Sequence, residues 1–359
     1  MLFQAVDLPA QRRLGDVQGF GGAAEMPVFG DDREAVHQPQ IEVYGRRQVG
    51  RVSRVVLDHV MHRAMNWGDA QAVLRDTEVS LDREGRPGGG WKNRPMDAAG
   101  VDAAVIISDP HVAPAQWCAA ATARHPDRLA TVLVCDGTAP DIADQVANAR
   151  ENPGVLGLRI TTAWPPCNVE RLRAGAYDRL LSTAEEHGVP VCVVGAGDLP
   201  DVAVVARAYP TLPLIIDHLG LSQPPFMPAD DPPWRDLGQL LALADLPNVS
   251  VKLSGAPTLS DTPYPYPDIW PHLRQVLDAF GVDRRMWGTD QHRVFGRLHG
   301  FDPVPRYPGY HSYAQGPHYL LDRDEFSEAE KTAPFGGTLR KIMGWPAVPA
   351  PSPTPSPTG

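Results

Sequence analysis

The stretch LPLIIDHLG, residues 212–220, decides how the rest of this chain is read. Its apolar residues follow one another without polar alternation, as suits a strand buried on both faces of a parallel sheet, and the run ends on two titratable side chains, Asp217 and His218. Runs of the same kind recur on both sides: VDAAVIISD (101–109), RLATVLVCD (128–136), GVLGLRIT (154–161), GVPVCVVG (188–195), NVSVKLSG (248–255) and RRMWGTD (284–290), the last the weakest strand by composition. Between them lie helix-like stretches at 113–124, 140–151, 169–187, 199–209, 234–244 and 268–280. Several are closed by stop signals such as His125-Pro126, Asn152-Pro153-Gly154 and Gly188.

Strand, helix, strand, repeated this often, predicts βαβ units with right-handed crossovers. The expected class is α/β. Seven strand candidates admit either an open sheet or a (β/α)8 barrel, which needs an eighth. For the barrel the missing strand lies upstream of Val101, and the best candidate is Val55-Val56-Leu57-Asp58-His59, so the first strand is expected to be incomplete or aberrant.

In such a barrel the chemistry sits at the C-terminal ends of the strands. Those ends carry Asp109, Asp136, Arg159, Asp217-His218, Lys252, Ser254 and Asp290. Period-two alternation groups Leu214, Ile216 and His218 on one face, Val155, Gly157 and Arg159 on another, and Met286, Gly288 and Asp290 on a third. If those faces point inward, Arg159, His218 and Asp290 converge at the barrel mouth. An imidazole can carry a proton or bind a metal, an ionised carboxylate can deprotonate water, and a guanidinium suits a carboxylate or a developing oxyanion. Water attack on a polarised carbonyl needs those capacities. The competing reading of each is ordinary: a strand-end loop cap for His218 or Asp290, a structural ion pair for Arg159. Lys252 reads as half of a buried ion pair and Cys192 as a buried thiol. His292 is a candidate for substrate contact.

Composition narrows the field. The 359 residues are 43% hydrophobic and 21% charged, close to globular averages, with a net charge of -10. That charge argues against nucleic acid or an anionic membrane as the main partner and leaves a small-molecule substrate. No apolar run reaches the ~18–20 residues of a membrane span. Cys118, Cys135, Cys167 and Cys192 form no CxxC pair, which fits a reduced, cytoplasmic setting. Residues 1–92 read as an atypical N-terminal region, disordered or translated in the wrong frame. Residues 93–346 read as the barrel, and 347–359, AVPAPSPTPSPTG, as a disordered Pro/Ser/Thr tail.

Taken together, GLRIT (157–161), IIDHLG (215–220), VSVKLSG (249–255) and MWGTD (286–290), in this order, resemble the amidohydrolase-related family of metal-dependent TIM-barrel hydrolases. MDAAGVDAAVI (96–106), ARHPDRLATVLV (123–134) and GGTLRKIMGWP (336–346) extend the likeness over roughly residues 94–346. KLSG and GTD point to its lactonase-like branch. The resemblance implies Asp290 as the base for hydrolytic water, His218 as the family's sixth-strand histidine, and Arg159 as the group that binds a substrate carboxylate.

It also implies a divalent metal, zinc or manganese, although some lactonase relatives work without one. The family's first strand normally ends in His-x-His, which this chain lacks. Its nearest match is VVLDHVMH (55–62), so the metal-ligand candidates are Asp290, His59 and His62. Residues i and i+3 of a regular strand point to opposite faces, so His59 and His62 share a metal only across a bulge or an early helical turn. Three functional expectations follow: a lactone or cyclic-ester hydrolase, a metal-dependent decarboxylase of a small aromatic or unsaturated acid, or a barrel disabled by loss of its first-strand ligands.

Overall fold

The computed structural model describes residues 101–108, 114–162, 169–223, 230–288 and 315–345, together with the backbone of 55–58. Eight strands form one parallel sheet in chain order: β1 (Val55–Asp58), β2 (Ala103–Ile107), β3 (Leu129–Val134), β4 (Val155–Thr161), β5 (Val191–Val194), β6 (Leu214–Ile216), β7 (Val249–Lys252) and β8 (Arg285–Met286). Each strand pairs with the next. β1 aligns Val55 with Ala103 and Asp58 with Ile106, so the eighth strand is the stretch that the sequence offered upstream of Val101. Apart from β1, residues 1–92 lie outside the described residues, as does the tail 347–359. The segment Ala333–Gly337 touches both β1 and β8, and its Pro334 carbonyl accepts a hydrogen bond from the Trp287 amide at 2.8 Å. With helices between successive strands from β2 to β8 this is the expected (β/α)8 barrel.

The described helices are α1 (Ala115–Arg124), α2 (Ile142–Glu151), α3 (Val169–Arg173), α4 (Asp178–His187), α5 (Leu199–Ala208), α6 (Leu237–Ala242), α7 (Trp270–Phe280), α8 (Gln315–Leu321), α9 (Glu328–Thr332) and α10 (Thr338–Met343). The single helix expected over 169–187 is two, because Gly175, at φ 73°, turns the chain between α3 and α4. In α7 the buried Trp270, Leu273, Val276, Leu277 and Phe280 recur at helical spacing and define one apolar face. Burying each such side chain stabilises the fold by roughly 1.5–3 kcal/mol.

The strands separate two apolar layers. Leu158, Ile160, Val191, Val193, Leu214, Ile216, Val249 and Val251 pack outward with helix residues such as Val146, Leu180, Val202, Leu240 and Val276. Inside lie Val105, Ile107, Val132, Leu156, Cys192, Ile215 and Met286. The interior is closed by Leu339, Met343 and Trp345. Met343 and Gly344 share a cleft with Asn152, Pro153, Val189 and Pro190, which lead into β4 and β5, so α10 seals the N-terminal end of the strands.

This layering corrects two face assignments. Leu214 and Ile216 point to the helices and Ile215 points inward, so His218 does not reach the interior by strand alternation. Val155 also joins the outer layer. A register shift opposite Val155–Gly157 resets the phase of β4, which leaves Arg159, between the outward Leu158 and Ile160, on the inner face. Met286 is inward as expected.

Candidate active site

β6 stops at Ile216 because the next residues leave the extended region. His218, Leu219 and Gly220 follow one another at φ 54°, 61° and 62°, a left-handed turn. For a residue with a Cβ that conformation costs roughly 1–2 kcal/mol, and two such residues together need outside support. Gln223 supplies part of it. Its Nε2 donates to the His218 carbonyl at 2.9 Å and to the Ser254 carbonyl at 3.3 Å, tying the turn to the end of β7. Leu219 is fully buried. Gly220 is obligatory on space as well as angle, since a Cβ there would sit 2.6 Å from Cδ1 of Leu199.

The turn swings His218 back over the strand ends. Arg159, on β4, lies with its Nη2 3.4 Å from His218 Nε2, and both residues are nearly sealed from solvent, at 5% and 3% exposure. The other ring nitrogen, Nδ1, is 2.9 Å from Ser254 Oγ. A guanidinium can only donate, so Nε2 must accept. A neutral imidazole with Nε2 as acceptor carries its proton on Nδ1, which donates to Ser254.

Asp217 anchors the group. Arg159 Nε donates to its Oδ2 at 2.7 Å, and Lys252 Nζ, from the neighbouring strand, lies 2.5 Å from its Oδ1. All three are buried. Burial alone would push the Asp217 carboxyl up, but the Lys252 and Arg159 cations hold it below the usual carboxylate range. Lys252 is subject to the mirror effect: burial pushes it down, and Asp217 with Cys192 carries it above its ordinary value. The Cys192 thiol is raised to about 11, chiefly by burial, so near neutral pH it is a thiol and neither a ready nucleophile nor a metal ligand.

The structure therefore brings together two of the candidate residues, Arg159 and His218. Asp290, His292, His59 and His62 lie outside the described residues. Lys252 is half of a buried ion pair, as its place in the sequence suggests, and its partner is Asp217, whose own role the sequence does not mark. The available signal was lateral: Ile216 pairs with Val251, so Asp217 and Lys252 fall on the next rung of adjacent strands.

Among the described residues, no three His, Cys, Asp or Glu side chains converge as a metal site. Asp217 is engaged by two cations, and a divalent ion beside it would face Arg159 and Lys252. The described donor set does not fit a metal. Among the same residues, no helix is long and apolar enough to cross a membrane.

Known proteins place the chain. A stretch of 95 residues, 26% of this chain and 30% of the relative, is 38% identical to L-fucono-1,5-lactonase of Burkholderia ambifaria. Another of 152 residues, 42% of this chain and 48% of the relative, is 28% identical to 4-sulfomuconolactone hydrolase of Hydrogenophaga intermedia. In both cases the chain covers less than half of the relative's length. The fold matches a crystal structure of an amidohydrolase from Burkholderia multivorans with bound HEPES, at TM-score 0.60 and 24% identity over 82% of this chain and 100% of that one. A second crystal form of that protein, with bound zinc, matches at TM-score 0.59 and 22% identity over the same shares. The family described as Amidohydrolase matches residues 92–345, most of the sequence, and the chain belongs to it.

Proposed function

We propose that this amidohydrolase opens a lactone or similar cyclic ester of a small carboxylated substrate, with Asp290 activating the water. The observation that carries the reading is the pair of Arg159 and His218, from different strand ends, in contact 3.4 Å apart where barrel enzymes hold their chemistry. The similarity to two proteins named for lactone hydrolysis supports the choice of substrate class.

In this reading the carboxylate of Asp290 takes a proton from water as its oxygen bonds to the lactone carbonyl carbon. The tetrahedral intermediate then collapses, the ring C–O bond breaks, and the same proton passes to the departing alkoxide, giving a hydroxy acid. Arg159 meets an anionic oxygen of the substrate, either its carboxylate or the carbonyl oxygen as that gains charge. With its proton on Nδ1, His218 has no N–H directed at Arg159; it holds the guanidinium through the Nε2 lone pair. His292 contacts the substrate from beyond Asp290. A metal, zinc or manganese, would take Asp290, His59 and His62 as ligands, and no step here runs through it.

The test is a panel of lactones with and without a ring carboxylate, followed by acid release in a pH-stat. Hydrolysis favouring the carboxylated members by tenfold or more in kcat/KM is expected, about 1.4 kcal/mol. Carbon dioxide release in place of acid would mark a decarboxylase, and no turnover of any lactone would defeat the reading.

A further inference from the structure

We propose that Asp217 and Lys252 are positioning residues that aim Arg159 and thereby fix the tautomer of His218. The proposal rests on the lactonase reading for its catalytic consequence. Its geometry stands independently.

Arg159 has a long side chain whose guanidinium could turn about its last bonds. One strong contact removes that freedom: Nε to Asp217 Oδ2 at 2.7 Å. With Nε tied, the plane of the fork is set, and Nη2 falls 3.4 Å from His218 Nε2. The donor at that position makes Nε2 an acceptor and places the ring proton on Nδ1, opposite Ser254 Oγ at 2.9 Å. The chain of cause therefore runs from a carboxylate just past the end of β6, through an arginine on β4, to the protonation pattern of an imidazole one residue beyond that carboxylate.

Lys252 answers a charge problem. A buried carboxylate paired with Arg159 alone would cancel the charge that an anionic substrate needs. Lys252, 2.5 Å from the other carboxylate oxygen and 2% exposed, shares Asp217, so these three side chains sum to one positive charge. Each carboxylate oxygen then faces one cation, Oδ2 the Arg159 guanidinium and Oδ1 the Lys252 ammonium. Gln223 completes the arrangement by clamping the His218 and Ser254 carbonyls, which keeps the imidazole at this height.

The experiment reads the tautomer directly. Two-bond 1H–15N correlations of histidine side chains are recorded near pH 7.5 on the full chain, with the His218 signals assigned by their loss in His218→Gln. The wild type is expected to show one tautomer with the proton on Nδ1. The double variant D217N/K252M removes both charges with little change in volume, which avoids leaving either one buried and alone. It is expected to show a mixture of the two tautomers. In the same variant, kcat/KM for a lactone substrate should fall on the order of 10–100-fold, the scale of a misplaced catalytic group. D217N alone is expected to give the same mixture, so a folding failure of one variant leaves the other to decide.

A wild type with its proton on Nε2, or a variant that keeps the single Nδ1–H form, overturns the proposal whatever the protein hydrolyses. A wild type that opens no lactone, beside variants whose tautomer changes as described, refutes the lactonase reading and leaves the positioning role standing.

Discussion

Gly220 and Gly188 share φ 62° and differ only in what surrounds them, which makes them a matched pair. A Cβ on Gly188, the left-handed cap of α4, meets nothing within 4 Å. A Cβ on Gly220 would lie 2.6, 2.8 and 3.1 Å from three carbons of Leu199, which is 1% exposed and has no room to swing away. Gly188→Ala should cost only the left-handed penalty, roughly 1–2 kcal/mol. Gly220→Ala should cost that plus the strain of an overpacked core, roughly 1–3 kcal/mol more. The expected difference between the two is therefore about 2 kcal/mol, read as a shift in urea midpoint at unchanged slope. Gly220→Ala should also lower lactone turnover, because relieving the clash moves the turn that carries His218. Equal destabilisation by the two substitutions would mean that Leu199 is not packed against this turn, and the account of how His218 is held would be wrong.

The remaining expectations concern the buried charges. Asp217→Asn leaves Lys252 as an uncompensated buried cation and should destabilise by about 3–5 kcal/mol, whereas D217N/K252M should unfold close to the wild type; denaturant titration of both checks the order. Asp217 titrates lower when folded than when unfolded, so its stabilising contribution is complete above the unfolded value near ~3.9 and is lost as pH falls through the folded one. Lys252 is raised, so its contribution is complete below ~10.4 and is lost as pH rises through its folded value. The stability gap between wild type and double variant should thus be flat from about pH 5 to 9 and change only beyond those limits. Arg159→Lys keeps the charge but loses the fork, and should raise KM for a carboxylated lactone on the order of tenfold or more in initial-rate measurements.

Much of the architecture was readable from the chain, and the reasons are local. Strands buried on both faces must be Val/Ile/Leu-rich, so β2 to β7 lie inside the apolar runs. β8 is two residues long and was the weakest run. Which face turned inward was less legible. Period-two counting presumes an extended chain, and it failed where a bulge reset β4 and where His218 entered a left-handed turn. Neither event has a signature in polar–apolar alternation. Arg159 and His218 were identified as candidates because polar groups at strand ends are conspicuous among apolar neighbours. Asp217 was overlooked because its partners, Arg159 and Lys252, are 58 and 35 positions away, and only the order and register of the strands brings the three together.

The central claim is that water activated at Asp290 attacks a lactone whose charge is met by Arg159. Single-turnover hydrolysis of a carboxylated lactone by wild type and Asp290→Asn tests it most directly. Removing the base while keeping the side chain's shape should slow ring opening on the order of 10²–10⁴-fold, with substrate binding retained. Ring opening by Asp290→Asn at the wild-type rate would contradict the claim.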